Sequence, residues 1–242
     1  MKIKILGSGS GIPTLGKNHA CVWINFSDKN IIFDCGEGTS QQLLKNGLDK
    51  AALDVIAISH HHPDHVSGIF MVLQLLHLQN RTKPLNIYLP EDIDFFVKML
   101  NYLYTFPTKC TFKINFALTS EITKDIPEIQ AIPSNHMLGY KDFVRQNNFS
   151  NKLMSYSFLI RYNSKQVLYS SDLWSTKSIE KYYPKTDLLI IDALHPEPDK
   201  ILEIPDKTDA RIILNHGLSE KLEILISDER FEIANEENEI TL

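Results

Sequence analysis

Short apolar runs dominate the hydrophobic pattern of the 242-residue chain. They are rich in Val, Ile, Phe and Tyr and are bounded by Gly, Asn, Asp or Lys, as β-strands usually are. The pattern predicts strands at 2–6, 21–26, 30–34, 54–59, 86–89, 129–132, 155–162, 166–170, 187–192 and 211–215.

Helical patterns lie between these runs, at 39–45, 66–78, 93–104, 177–183 and 219–226. The stretch 66–78 has apolar residues all round, which predicts a buried helix. Many strands interleaved with helices predict a single α/β (or α+β) domain over residues 1–242, with layered sheets and outer helices.

Composition and charge narrow the range of functions. The formal net charge is -5, so the overall charge does not show the excess of basic residues that is typical of nucleic-acid-binding proteins. Three cysteines without a CxxC pair argue against a disulfide framework or a zinc ribbon and fit a reducing cytoplasm. No stretch approaches the roughly 20 apolar residues that span a bilayer, and the N-terminal apolar run is too short for a signal peptide. We therefore expect a cytoplasmic protein without a membrane partner.

Candidate metal chemistry centres on the sequence SHHHPDH at 59–65, which follows a predicted strand. Imidazole and carboxylate are the side chains that bind divalent transition metals. Alternate side chains of an extended segment point the same way, so His60, His62 and Asp64 can project together while His61 points away. His65 follows at the turn into the next helix and can face the same cavity from another angle.

Further ligand types recur at one architectural position. His136, His195, His216 and Asp172 each follow an apolar strand, and strand ends are where ligands and catalytic groups collect in α/β sheets. We interpret His136, Asp172 and His216 as ligands that complete a two-metal site. His19 and His77 are interpreted as structural.

The opening GSGSGIP at 7–13 lacks the GxGxxG spacing of a dinucleotide-binding loop, and no helical pattern follows it. We interpret it as a tight turn beside the site, with phosphate binding as the alternative.

These motifs resemble the metallo-β-lactamase superfamily, whose metal pattern is HxHxDH followed by a distant His, Asp and His. Within it the chain resembles the ribonuclease Z family, which trims the 3′ end of precursor tRNA. The similar stretches are LGSGSGIPT at 6–14, FDCGEGTSQQLL at 33–44, PLNIYLPEDIDFFV at 84–97, HMLGY at 136–140 and NHGLS at 215–219. The resemblance implies a four-layer αββα sandwich with the site along one edge between two sheets.

The resemblance also implies a ligand set for two metal ions. By position, the first ion would take His60, His62 and His136, the second would take Asp64, His65 and His216, and Asp172 would bridge them. Asp34 would brace the ligand loop, and a strand-end cap is its alternative role.

The chain departs from ribonuclease Z in two places. That family carries a long Gly- and Pro-rich arm that grips tRNA, whereas only 35 residues separate His136 from Asp172 here. Its late His-Glu-Ala-Thr motif is replaced by Asp192-Ala193-Leu194-His195, in which the histidine follows the acid. That order resembles the armless cyclic-phosphate phosphodiesterase of the carbon–phosphorus lyase pathway.

These observations predict a metal-dependent phosphodiesterase that attacks its substrate with a hydroxide bound to two metal ions. Asp64, besides being a ligand, would orient the nucleophile or accept its proton. His195 is the candidate general acid, with a surface-loop histidine as the alternative. Mixed His and carboxylate ligands suit zinc, and also manganese or iron.

The predicted substrate is a small or nucleotide-like phosphodiester, and a homodimer is possible for an enzyme of this kind. Three alternatives stay open: a ribonuclease Z-type tRNA 3′ endonuclease, a lactonase or thioesterase, and a metal-binding protein without catalysis.

Overall fold

A computed structural model describes residues 1–48, 52–225 and 228–242 of the chain. Its contacts divide the chain into two compact units, here called unit 1 (Met1–Thr119 with Asn235–Leu242) and unit 2 (Ser120–Ala234).

The strands alternate with helices along the chain, as an α/β protein requires. The strands are β1 (Lys2–Gly7), β2 (Cys21–Phe26), β3 (Lys29–Phe33), β4 (Val55–Ala57), β5 (Leu85–Leu89), β6 (Ile114–Leu118), β7 (Ile129–Pro133), β8 (Tyr156–Tyr162), β9 (Lys165–Tyr169), β10 (Leu188–Ala193), β11 (Arg211–Leu218), β12 (Phe231–Ile233) and β13 (Glu239–Thr241). The helices are α1 (Thr39–Lys45), α2 (Pro63–Val66), α3 (Gly68–Leu78), α4 (Ile93–Tyr102), α5 (Ile122–Asp125), α6 (Lys141–Gln146), α7 (Pro198–Leu202) and α8 (Glu220–Leu225).

Unit 1 is built on a seven-stranded sheet in the order β13-β1-β2-β3-β4-β5-β6. Pairing is antiparallel from β13 to β3 and parallel from β3 to β6. Its core joins buried strand residues such as Ile32 and Ile56 with Leu43 of α1, Leu73 of α3 and Phe96 of α4. Burial of these apolar side chains is the main force that holds the helices on the sheet.

Unit 2 is built on a six-stranded sheet in the order β12-β11-β10-β9-β8-β7. Strands β9 to β12 are parallel, while β7, β8 and β9 pair antiparallel. Because β8 runs against both neighbours, β7 points the same way as β9, and the carboxyl ends of β7, β9, β10 and β11 lie at one edge of the sheet.

The strand pattern predicted most of both sheets, since each predicted run overlaps a strand. Three strands were missed: β6, β12 and β13. The last two have only three residues each. A short edge strand carries too few residues for an alternation to be visible.

The predicted helix at 66–78 is wrong in its boundary and in its burial. The chain forms α2 and α3 instead, and the Gly68 amide donates to the carbonyl oxygen of Cys35 at 2.8 Å, outside either helix. This tertiary hydrogen bond interrupts the helix at Ser67. Met71 and Leu78 are 54% and 68% exposed, so α3 is not buried all round.

Two other helix predictions differ from the structure, and the last one agrees with it over the described residues. The predicted 93–104 helix stops at Tyr102, and Tyr104 takes a positive φ of 59°. The segment 177–183 forms two 3-10 turns, Thr176–Ser178 and Glu180–Lys185, the second containing Pro184, which cannot donate a helical hydrogen bond. The predicted last helix corresponds to α8, and residue 226 lies outside the described residues.

Among the described residues, no helix is both long enough and apolar enough to cross a membrane.

Candidate metal centre

One buried carboxylate fixes the loop that carries the first histidines. Asp34 follows β3 with a left-handed backbone (φ 62°) and a side chain that is fully buried. Its Oδ1 accepts the Ser59 amide at 2.8 Å, and its Oδ2 lies 2.9 Å from His65 Nδ1. An ionised carboxylate only accepts hydrogen bonds, so Nδ1 of His65 donates and Nε2 keeps the lone pair that a metal ion needs. Asp34 therefore braces a predicted ligand, as the resemblance implies.

The side chains of the HxHxDH motif gather in unit 1. His60 is buried, and its ring centroid lies 4.7 Å from that of His62 and 4.2 Å from that of His65. The backbone is extended at His62 and enters α2 at Pro63. Alternation along an extended segment thus accounts for His60 and His62, whereas Asp64 joins the cluster from the first turn of α2, with Oδ2 3.5 Å from His65 Nε2.

His61 points elsewhere, as the alternation predicts. Its ring stacks on Phe96 of α4 with the centroids 5.9 Å apart. Burial lowers the pKa of His61 to about 4, against a smaller opposing effect of Asp92. The side chain is therefore neutral at pH 7 and acts as a packing residue.

Two glycines let the motif FDCGEGT lie against the ligand loop. A Cβ on Gly36 would come within 2.2 Å of the Asp64 carbonyl oxygen, and one on Gly68 within 2.1 Å of the Gly36 carbonyl oxygen. The Cys35 amide donates to the His65 carbonyl oxygen at 2.7 Å. Any side chain at these two glycines would push the loop away, because the opposing atoms are backbone.

The opening turn also lies beside this cluster, since an ideal Cβ on Gly11 would be 3.5 Å from Asp64 Oδ2.

One carboxylate, that of Glu236, holds both ends of the opening turn. Glu236 Oε1 accepts the amide and hydroxyl of Ser8 at 2.9 and 3.0 Å, and its Oε2 accepts Asn18 Nδ2 at 2.7 Å. The sequence carries no local signal for Glu236, because its partners are more than 200 positions away.

In unit 2 the other predicted residues meet at one sheet edge. Asp172 follows β9, His195 follows β10, His216 lies in β11, and His136 follows β7. All four strands end at that edge, so the residues that the strand-end argument selected lie close together. The ring centroids of His136 and His216 lie 4.8 and 5.4 Å from that of His195.

Asp172 is the centre of this cluster. Its side chain is only 2% exposed, and its Oδ2 lies 3.5 Å from His136 Nε2 and 3.3 Å from His216 Nε2. The preceding Ser171 has a φ of 48°, which turns the chain sharply where β9 ends. A buried carboxylate among imidazoles is costly unless it is paired with cations or a metal ion.

A bulge in β11 aims His216 at Asp172. The ladder between β10 and β11 slips after Asp192, which pairs with Asn215, whereas Ala193 pairs with Leu218. His216 and Gly217 take φ values of 67° and 82° inside the slip. Bulges of this kind redirect a side chain away from the regular pleat.

A second buried carboxylate, Asp192, holds His195 in the way that Asp34 holds His65. Nδ1 of His195 lies 2.9 Å from Asp192 Oδ2, and Asp192 is buried. The same carboxylate accepts the amides of Leu173 and Leu194, both at 2.9 Å. Asp192 therefore fixes the ring of His195 and also the turn that follows Asp172. The His195 side chain remains 33% exposed, which leaves it open to a substrate.

The distances between imidazole nitrogens and carboxylate oxygens fall into two ranges. The longer range suits two atoms that bind the same metal ion, and the shorter range is that of a hydrogen bond. Tetrahedral zinc with bonds of about 2.0–2.2 Å places neighbouring ligand atoms about 3.3–3.6 Å apart. Three pairs inside the units have such separations: Asp64 with His65 (3.5 Å), Asp172 with His136 (3.5 Å) and Asp172 with His216 (3.3 Å). The Nδ1 contacts of His65 and His195 are 2.9 Å, the length of a charge-assisted hydrogen bond. The donor set thus fits a divalent transition metal.

Substitution of Asp34 by asparagine is expected to weaken zinc binding about 10–100-fold. Asparagine fits the left-handed backbone, and its amide oxygen can still accept from Ser59. Its NH2 group would then face His65 Nδ1, which favours the tautomer with the proton on Nε2. Zinc affinity measured by chelator competition tests this. Asp54→Asn is the matched control, since Asp54 Oδ2 also accepts a backbone amide in unit 1, from Asn30. Unchanged zinc affinity in the Asp34 variant would contradict the bracing role.

The two histidines interpreted as structural lie in unit 1, where one makes a packing contact and the other accepts a hydrogen bond. An ideal Cβ on Gly36 would be 2.5 Å from His19 Cβ, so His19 packs on the FDCGEGT turn. His77 Nδ1 accepts the amide of Thr111 at 3.2 Å.

Comparison with known proteins assigns the family. Residues 1–240 match the family described as Anti-Pycsar protein Apyc1. The chain belongs to this family. Because the match covers both units, every side chain of the candidate centre lies within the part of the chain that defines Apyc1 relatives.

Other likenesses extend beyond the Apyc1 family. Ribonuclease Z of Methanococcus aeolicus is 42% identical over 93 residues, which are 38% of this chain but only 29% of that protein. The metallo-β-lactamase fold protein YhfI of Bacillus subtilis superposes with a TM-score of 0.72 at 18% identity, covering 99% of this chain and 98% of that one. A diphosphatase from the PhnP family gives a TM-score of 0.67 at 18% identity, with coverage of 100% and 97%.

These likenesses confirm the α/β metallo-β-lactamase fold, and the match to ribonuclease Z confirms the resemblance to that family over part of the chain. The chain spans less than a third of the length of the ribonuclease Z named above.

Proposed function

We propose that this protein is a metal-dependent phosphodiesterase acting on a small, nucleotide-like phosphodiester. The observation that carries the proposal is the pair of buried clusters in which imidazole Nε2 atoms face aspartate oxygens at 3.3–3.5 Å. These are donors for divalent metal ions, and metal ions are the common means of hydrolysing phosphate esters. A ribonuclease and a diphosphatase among the similar proteins are further support, because both names denote reactions at phosphorus.

The proposed ligand set is the one that the sequence resemblance implies. His60, His62 and His136 would hold the first ion, Asp64, His65 and His216 the second, and Asp172 would bridge them. Zinc suits these ligands, as do manganese and iron. Since the family match runs over residues 1–240, we infer that residues 1–242 function as one domain.

Two bound divalent ions would supply a water of lowered pKa and positive charge beside the phosphate. The chain's own residues do the remaining work. Asp64 would orient the attacking water or accept its proton, because its carboxylate lies between His65 and the opening turn and is 12% exposed. His195 would donate a proton to the leaving oxygen, since Asp192 holds its Nδ1 and its side chain is 33% exposed.

A ribonuclease Z-type tRNA endonuclease is the second candidate, favoured by the 42% identity over 93 residues. The segment between the two unit 2 ligands argues against it. Between His136 and Asp172 the chain forms a short 3-10 turn, α6, β8 and β9, and α6 has only six residues. The long arm that ribonuclease Z is expected to use for tRNA has no counterpart in this described segment. A cytoplasmic location and a homodimer stay predictions.

The test is hydrolysis of bis(p-nitrophenyl) phosphate by protein reconstituted with zinc or manganese. We expect turnover that is lost on chelation and restored by metal. Precursor tRNA assayed in parallel separates the two candidates. If protein holding two metal ions per chain cleaves neither substrate, the phosphodiesterase proposal fails.

A further inference from the structure

Trp174 is a large aromatic side chain left exposed at the edge of the unit 2 cluster. Trp174 is 67% exposed and follows the buried Asp172 by two positions. The chain has two tryptophans, and the other, Trp23, is 6% exposed and donates its Nε1 to Asn30 at 3.2 Å. An exposed indole lowers the stability of the fold, because its large apolar area stays in contact with water instead of being buried.

The backbone on both sides of Trp174 is held in place. Leu173 is fully buried, and its amide donates to Asp192 Oδ2 at 2.9 Å. The Ser175 hydroxyl oxygen accepts the Lys177 amide at 3.4 Å, which starts the following 3-10 turn. The indole is thus presented by a fixed turn, so little conformational freedom would be lost when a ligand covers it.

The indole also lies against the turn that carries His136. An ideal Cβ on Gly139 would be 3.8 Å from Trp174 Cζ3, which is ordinary van der Waals contact. Leu138 and Tyr140 flank that glycine and are 56% and 47% exposed. Trp174 therefore spans the two turns that hold His136 and Asp172, with further apolar surface around it.

We propose that Trp174 is a specificity-determining residue whose indole stacks on a planar heterocyclic ring carried by one ester arm of the substrate. The proposal rests on the phosphodiesterase function and names the part of the substrate that this surface selects. A phosphate held beside His136 and Asp172 would bring an ester arm towards Trp174, whose exposed indole lies against the turn of His136 and follows Asp172 by two positions. Stacking tolerates different bases because every base has a π-face.

Two esters with the same leaving group isolate this contact. Thymidine 5′-(p-nitrophenyl phosphate) carries a base, whereas methyl p-nitrophenyl phosphate does not. We expect Trp174→Ala to lower kcat/KM for the thymidine ester about 10–100-fold and to leave the methyl ester almost unchanged. Trp174→Phe should restore most of the loss, because phenylalanine keeps an aromatic face. An equal loss for both esters would show that Trp174 only supports the turn.

Binding without turnover gives an independent measurement. Thymidine 5′-monophosphate should quench the tryptophan fluorescence of the metal-loaded protein, methyl phosphate should not, and Trp174→Ala should abolish the response, since Trp23 is buried. Absence of quenching in the wild type would overturn the proposal. Hydrolysis of the methyl ester tests the phosphodiesterase function by itself. If that hydrolysis is absent, the quenching experiment still decides whether Trp174 binds a base.

Discussion

Alanine in place of Asp172 is expected to lower phosphodiester hydrolysis by about three orders of magnitude. The physical reason is the position of its Oδ2, which faces Nε2 of both His136 and His216 in a buried cluster. Lewis-acid stabilisation by metal ions contributes several kcal/mol to a phosphoryl-transfer barrier, and each 1.4 kcal/mol is a factor of about ten in rate. Loss of the proposed bridging ligand should remove most of that stabilisation.

Metal content and activity are the two measurements. Elemental analysis after dialysis should show less than the wild-type metal content in Asp172→Ala, and added zinc should not restore the rate. The control is Asp209→Ala, which removes an exposed aspartate from the same unit and should change neither quantity. Thermal unfolding of both variants separates loss of metal from loss of fold. Wild-type metal content with wild-type turnover in Asp172→Ala would refute its place in the ligand set.

The sequence was sufficient to predict which residues gather in each unit, for a reason that lies in sheet geometry. His136, Asp172, His195 and His216 all follow or close apolar runs, and parallel strands end at one edge, so residues far apart in sequence become neighbours. The HxHxDH motif needed no such argument, since four candidate ligands within six positions are already close.

What the sequence could not show depends on contacts between distant positions. The role of Glu236 exists only because β13 returns the chain beside β1 and brings that carboxylate to Ser8 and Asn18. The break at Ser67 follows from one hydrogen bond between Gly68 and Cys35, which no local pattern encodes. Local periodicity predicts which face of a segment is buried. It does not predict which distant carbonyl oxygen accepts a hydrogen bond from a particular amide.

The bulge at His216 is an intermediate case. The Gly217 that follows it is a local signal for an unusual backbone, since glycine adopts positive φ at little cost. The signal could not say that His216 itself would also take a positive φ, nor that the ladder with β10 would slip there. The residue was predicted as a ligand without the backbone geometry that aims it.

Removal of the His195 imidazole is expected to have an effect that depends on the leaving group. A general acid accelerates departure of a basic oxygen by about 10²–10⁴-fold, and it does little for a leaving group that departs readily as an anion. His195→Ala should therefore hydrolyse methyl p-nitrophenyl phosphate at nearly the wild-type rate. With methyl phenyl phosphate, whose phenolate is a stronger base, the variant should be slower by about 10²-fold or more.

A series of methyl aryl phosphates between these two measures the dependence directly, because the logarithm of the rate should fall more steeply with phenol basicity in His195→Ala than in the wild type. The control is His77→Ala, which removes a half-buried histidine of unit 1 that accepts the Thr111 amide and should leave the slope unchanged. Parallel slopes for His195→Ala and the wild type would mean that His195 positions other groups rather than donating the proton. A ligand role would instead lower the rate of every ester equally and reduce metal content. The experiment therefore distinguishes the donor from both alternatives. A buried carboxylate holds Nδ1 of His195 at 2.9 Å, as Asp34 holds Nδ1 of the proposed ligand His65, but the His195 side chain is 33% exposed whereas that of His65 is fully buried. This exposure to solvent and substrate is the structural reason to expect the donor.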